Sequence, residues 1–239
     1  MLNSMVKRTA RRLGVDIRRY RPANSAWPQL ISMLASHKVN LVFDVGANIG
    51  QFAQALREHG FHGRIVSFEP LAAAHALLLS SSKKDPFWDV APRAALGSEE
   101  GQIDMHVACN SVSSSALNML QAHADVAPGT HYIGTESVPL RRFESIAQTY
   151  FRAESVPFLK IDTQGYEDRV LTGAGPLLHR VIGVQLELSL VPLYEGQCLF
   201  PEMIDRLHMS GFELWAIFQS FVDERNGRLL QVDATFFRK

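Results

Sequence analysis

The chain has 239 residues, 46% of them hydrophobic and 20% charged, enough apolar content to bury a real core in one large α/β domain. Its formal charge is zero, but basic residues gather at the N-terminus and leave an acidic body, which would repel phosphates and speaks against a nucleic-acid partner. The two cysteines, Cys109 and Cys198, lack disulfide or zinc spacing, and neither a membrane-length apolar run nor a signal-peptide pattern is present, so a cytoplasmic protein with reduced thiols is expected.

Residues 1–21 hold Lys7, Arg8, Arg11, Arg12, Arg18, Arg19 and Arg21 against the single acid Asp16. Leu2, Val6, Leu13 and Ile17 fall on one helical face. A basic amphipathic helix can lie on an anionic membrane surface, here the inner face of the membrane. The plainer and favoured reading is a helix packed on the domain edge with its charges in water. Residues 1–38 are therefore expected to form a basic, helical extension, and 39–239 the α/β domain.

The apolar run 41–43 predicts a buried strand ending at Asp44. Gly46-x-x-x-Gly50 follows, then a helix over 49–59. Strand, glycine turn and helix open a sheet that binds ligands at the carboxyl ends of its strands. The two glycines are expected to let the backbone approach the ligand. A dinucleotide loop would read G-x-G-x-x-G, with an anion on the helix N-terminus. This loop lacks the middle glycine, and Asp44 would repel an anion. It suits a ligand with an amino group, such as the methionine end of S-adenosylmethionine. A second strand over 64–68 ends in Glu69-Pro70, where an acid can accept hydrogen bonds from ribose hydroxyls. Its structural alternative is an acid that favours the next helix dipole.

Further strands are predicted near 88–94, 102–108, 136–140, 157–162, 182–188, 212–219 and 229–237. Helices are predicted near 27–37, 71–80, 143–151, 166–179 and 199–210. The alternation implies a doubly wound, mainly parallel sheet. Asn226-Gly227 marks a closing hairpin that puts an antiparallel strand at or near the sheet edge. Residues 109–136, with Asn110, three serines at 113–115, His123 and His131, are long for a connection and are expected to close over cofactor or acceptor.

Asp162 and Glu187 each end a strand on the ligand-binding edge. Together they could hold a divalent cation, or one could be a general base for a hydroxyl. The cation is the less favoured option, because two acids leave most of its oxygen shell to water and substrate. Lys160, in an apolar strand, needs a carboxylate partner. Glu167 and Asp168 look like first-turn helix acids. His131 and His123 are base candidates because imidazole titrates near neutral pH.

These motifs resemble the FkbM family of S-adenosylmethionine-dependent methyltransferases. The likeness is carried by residues 43–50, 67–70 and 95–97, the serines at 113–115, and residues 159–167. Val170-Leu171-x-Gly173-Ala174, Glu187, Leu193-Tyr194-Glu195-Gly196 and Leu207-x-x-x-Gly211-Phe212 extend it. The resemblance implies a Rossmann-like class I methyltransferase fold and O-methylation of a sugar, glycolipid or polyketide-type hydroxyl. By that likeness Asp44, Gly46, Asn48 and Gly50 would line the methionine end, and Glu69 with Pro70 the ribose. Asp162 would stand near the reacting centre. The family pattern does not fix the base, for which His131 and Glu187 are the candidates. Two rivals are an NAD-dependent oxidoreductase and a non-catalytic membrane-surface accessory protein. The missing G-x-G-x-x-G and Asp44 speak against the first, the intact loop and Asp162 against the second.

Overall fold

Near-continuous apolar runs make the central strands, as expected where a parallel sheet is covered on both faces. The computed structural model describes residues 4–17 and 25–239. Its strands, in chain order, are β1 (Leu41–Val45), β2 (Arg64–Phe68), β3 (Trp88–Val90), β4 (Ala95–Gly97), β5 (Gly101–Ala108), β6 (Tyr132–Arg142), β7 (Pro157–Ile161), β8 (Gly183–Ser189), β9 (Phe212–Asp223) and β10 (Arg228–Arg238). Its α-helices are α1 (Ser4–Arg12), α2 (Ala26–Ser36), α3 (Gln51–Glu58), α4 (Ala72–Ser82), α5 (Gln121–Val126), α6 (Phe143–Ala147), α7 (Glu167–Ala174) and α8 (Phe200–Met209).

The main sheet has seven strands in the order β3-β2-β1-β7-β8-β10-β9. The first five are parallel, and β10 runs antiparallel between β8 and β9. The chain winds outward from β1 to β3 and then returns to the other side of β1, so strand order reverses between β1 and β7. Such a switch point opens a crevice at the strand ends. Asp44 pairs with Lys160 in register there.

Successive side chains alternate between the two faces. One face, with Phe43, Val45, Phe68, Leu159, Ile161 and Leu186, packs against Phe143, Val170, Leu171 and Met203 of α6, α7 and α8. The other, with Val42, Ile65, Phe158 and Phe237, packs against Leu30, Met33 and Leu34 of α2 and Ala53 and Leu56 of α3. A second sheet, β4-β6-β5, rises beside the strand ends.

Some elements depart from expectation. The strand expected near 88–94 stops at Val90, because Pro92 offers no N–H to the ladder, and the chain next forms β4 in the second sheet, beyond the expected range. The helices expected over 143–151 and 166–179 finish in 3₁₀ turns at Gln148–Tyr150 and Gly175–Arg180. No residue of α1 is buried, which departs from the favoured packing on the domain edge. Leu2, Arg18, Arg19 and Arg21 of the same basic segment lie outside the described residues.

Candidate active site

The turn after β1 is fastened between its neighbours. The N–H groups of Gly46 and Ala47 donate to the Phe68 carbonyl at 3.1 and 3.0 Å, and the Asp162 N–H donates to the Val45 carbonyl at 3.0 Å. Gly46 has φ +76°, and a Cβ there would overlap the Asp162 carbonyl oxygen. Gly50, at φ +94°, starts α3, and a Cβ on it would lie 2.6 Å from the Trp88 ring. Both glycines therefore make room for protein, which for Gly50 corrects the expectation that it serves the approach to a ligand. Gly46 still lines the cavity; Gly50 does not.

Asp44 is fully buried and does not line the cavity. Lys160 Nζ stands 3.3 Å from Asp44 Oδ1 and 3.3 Å from Asp162 Oδ2. The Ser67 hydroxyl donates to Asp44 Oδ2 at 3.3 Å, and is itself held by the Trp88 indole N–H at 2.9 Å. The amino group that the sequence assigned to a ligand is thus supplied by Lys160. Burial raises the Asp44 carboxyl, with Lys160 pulling it back. Burial would lower Lys160, but Asp162 and Asp44 outweigh it and hold the ammonium above its ordinary range.

Glu69 ends β2 and is buried. Its Oε2 accepts the Asn48 N–H at 2.9 Å and its Oε1 the Leu71 N–H at 2.9 Å. Burial pushes its carboxyl up to about 7 against those two hydrogen bonds. Asn48, at φ +47°, donates its side-chain amide to Ser111 Oγ at 3.2 Å. That bond ties the β1 turn to the segment 109–136, whose Ser111, Val112, Ser114 and Ala116 reach the cavity.

Asp162 and Glu187 meet through a residue that sequence reasoning missed. Gln164 Nε2 donates to Asp162 Oδ1 and to Glu187 Oε2, both at 2.8 Å. Its Oε1 accepts the Tyr194 hydroxyl at 2.7 Å, and His123 Nε2 lies 3.3 Å beyond. Glu187 also accepts from Ser220 Oγ at 2.6 Å and Gln231 Nε2 at 3.0 Å. Burial pushes Glu187 well above the carboxylate range, and Asp162 beside it adds to that. An amide nitrogen occupies the point where the two acids converge. Among the described residues no group of three or more His, Cys, Asp or Glu is arranged to hold a metal ion.

Glu167 is more than a helix-dipole acid. Its Oε1 accepts the N–H groups of Thr163 (2.8 Å) and Gly165 (3.2 Å), shaping the loop behind Asp162. Asp168 instead pairs with Arg206. His131, just before β6, is exposed and does not line the cavity. His123 is buried, and burial lowers its pKa.

The cavity measures about 580 Å³, a size suited to a small-molecule ligand. Gly46, Asn48, Glu69, Pro70, Asp162 and Gln164 line one part of it; Trp27, Phe52, Lys160, Gln185, Phe218 and Asp233 line another. Gln185 and Asp233 were not singled out from sequence. Their signal is weak: polar residues at alternate positions, Gln231, Asp233 and Thr235, in an otherwise apolar strand.

A mainly parallel sheet with one inserted antiparallel strand, and a cavity at its switch point, define a Rossmann-like methyltransferase fold. A protein assigned as a methyltransferase from Thermobifida fusca shares it at 13% identity and TM-score 0.51, over 88% of this chain and 78% of that one. An S-adenosylmethionine-dependent methyltransferase from Mesorhizobium loti gives 10% identity and TM-score 0.48, over 91% and 100%. The O-methyltransferase TomG from Streptomyces achromogenes gives 11% and 0.44, over 99% and 88%. No curated protein matches the chain. The Methyltransferase FkbM domain matches residues 44–214, well over half of the chain, and the chain belongs to that family.

Proposed function

We propose that the protein is an S-adenosylmethionine-dependent O-methyltransferase acting on a hydroxyl of a sugar, glycolipid or polyketide-type product. The observation that carries this reading is one cavity holding both Glu69, at the end of β2, and the Asp162–Gln164 turn, at the end of β7. Each Glu69 oxygen uses one lone pair on a backbone N–H and keeps another for a ribose hydroxyl. The residues present therefore fit the cofactor. They fit a cation poorly, since Gln164 would have to leave the two carboxylates it bridges.

Bound S-adenosylmethionine would supply an electrophilic methyl group. The chain would supply alignment and a proton acceptor. An alcohol is a weak nucleophile at neutral pH, and a positioned base contributes roughly 10²–10⁴-fold. Asp162, held by Lys160 and Gln164, is fixed beside the reacting centre in this reading.

Calorimetric titration with S-adenosylhomocysteine should give binding, and Glu69→Gln should weaken it by about tenfold or more, the loss of a charge-assisted hydrogen bond. Binding of NAD with none of S-adenosylhomocysteine would sink the reading. Mass spectrometry of extracts from cells with and without the gene would then find the acceptor as a compound lacking one CH₂ unit.

The N-terminal segment supports a peripheral role at the inner face of the membrane. Lys7, Arg8, Arg11 and Arg12 share α1 with Val6, which is 48% exposed, and Leu13 just beyond is 77% exposed. Among the described residues no helix is long and apolar enough to cross a membrane. Deleting residues 1–21 should leave S-adenosylhomocysteine affinity intact and abolish sedimentation with anionic vesicles at low salt. A full-length protein that ignores such vesicles would refute the membrane role.

A further inference from the structure

Four strands carry a polar row on the face that is apolar one turn of the pleat earlier. Asp44, Lys160, Gln185 and Thr235 stand side by side in register on β1, β7, β8 and β10. Two positions back, Val42, Phe158, Gly183 and Phe237 meet the helices α2 and α3. A buried polar row is costly unless its members are satisfied. Asp44 and Lys160 are ion-paired at 3.3 Å, although Asp44 Oδ1 and, further along the row, Thr235 Oγ1 take no hydrogen bond. Of these unbonded members only Gln185 lines the cavity: it is 7% exposed and its Oε1 has no partner.

Asp233 lies directly across from Glu187 on β10 and also lines the cavity. The other acids of the site are occupied. Asp44 has Lys160 and Ser67, and Asp162 has Lys160 and Gln164. Glu187 has three donors and Glu69 two. The Asp233 carboxylate takes no hydrogen bond from the described residues.

Around this acid and this amide stand aromatic rings. Phe218 pairs with Asp233 across β9 and β10, and the Trp27 and Phe52 rings pack at a tilt with centroids 5.4 Å apart. Lys160, the only cation in the lining among the described residues, is committed to two carboxylates. Aromatic faces match the C–H faces of a saturated ring, and carboxylate and amide oxygens match its hydroxyls. Among the described residues, an anionic acceptor would meet acids and no uncommitted cation.

We propose that this limb of the cavity is the acceptor subsite for an uncharged, polyhydroxylated ring, and that Asp233 accepts the proton of the hydroxyl being methylated. The proposal rests on the methyltransferase reading and specifies its second substrate. An oxygen lone pair of the acceptor forms the C–O bond to the methyl. The C–S bond breaks with its electron pair going to sulfur. The O–H proton passes to an Asp233 carboxylate oxygen, while Gln185 Oε1 accepts from a neighbouring hydroxyl.

Burial pushes the Asp233 carboxyl up to about 6; Asp162 adds to this and Lys160 opposes it. Glu187 faces it from β8, Lys160 from β7 and Asp162 from the turn just after β7. The other surrounding elements, β9, α2 and α3, bring no titratable side chain to the cavity. Asp233 is thus ionised at neutral pH yet more basic than an ordinary aspartate, as a proton acceptor should be.

The test uses the full chain labelled with ¹³C-carboxyl aspartate and saturated with S-adenosylhomocysteine. The Asp233 resonance, assigned with Asp233→Asn, should shift saturably on adding methyl α-glucopyranoside or methyl α-rhamnopyranoside and stay put with glucose 6-phosphate. Trp27→Ala should abolish the shift. Asp233→Asn should lower transfer of labelled methyl to the responding glycoside about 100-fold, with S-adenosylhomocysteine affinity within twofold, and remove the acid limb of the pH–rate profile. A resonance indifferent to both glycosides, a stronger response to the phosphate, or an Asp233→Asn enzyme with wild-type transfer overturns the proposal. If S-adenosylhomocysteine does not bind at all, the methyltransferase reading has failed and the subsite falls with it. If it binds and Asp233 is silent, the subsite alone falls.

Discussion

Replacing Lys160 with methionine should destabilise the protein by about 3–5 kcal/mol at pH 8, the usual result of removing one partner from a buried ion pair. The substitution leaves Asp44 at zero exposure with only the Ser67 hydroxyl as a donor. The variant should recover as the pH falls. Without the ammonium, the folded-state Asp44 carboxyl is raised further above its unfolded value, so the folded state binds the extra proton. Stability then increases as the pH drops through that raised value. Asp44→Asn combined with Lys160→Met should restore much of the loss, because both charges are gone. Urea denaturation of the four proteins at pH 6 and pH 8 reads all of this. A Lys160→Met protein within 1 kcal/mol of wild type at pH 8 would mean that Asp44 is neutral in the fold (a threshold of about one ordinary substitution).

That buried pair shows where the sequence was readable. A lysine between Leu159 and Ile161 announces its need for a carboxylate, because strand alternation alone places it on a covered face. The first strand, its turn and Glu69 were equally plain, since strand, glycine and acid lie within one short stretch. The identity of Lys160's partners was not plain. Asp44 comes from a strand more than a hundred residues earlier, and only the return of the chain to β1 brings them together. Gln185 and Asp233 were hidden for the same reason: their meaning depends on the register of β8 with β10, which nothing local encodes. Glu187 was found, but not its donor Ser220, which the β9 bulge leaves unpaired opposite β10 and within reach. Residue type misled for His131, since the presence of an imidazole says nothing about direction, and the ring does not line the cavity. The glycines were recognised as positions without room for a Cβ, but sequence could not say what fills that room.

Gly46 gives the second large effect. Gly46→Ala should cost about 2–5 kcal/mol and abolish measurable S-adenosylhomocysteine binding, because two penalties coincide. At φ +76° an L-residue pays the left-handed backbone cost of about 1–2 kcal/mol. The new methyl must also displace the Asp162 carbonyl, a backbone atom that cannot rotate away. The surrounding hydrogen bonds, from Gly46 and Ala47 to Phe68 and from Asp162 to Val45, hold both strands at the contact. A displacement there moves Asp162 relative to Asn48, so binding should suffer beyond the loss of stability. Gly60→Ala separates the terms: Gly60 has φ +91° with nothing within 4 Å of its added Cβ, so that variant carries the backbone cost alone. The difference between the two unfolding free energies is then the cost of prising β1 from β7. Should Gly46→Ala prove no worse than Gly60→Ala, the turn has slack against Asp162, and the rigid joint between the two halves of the site does not exist.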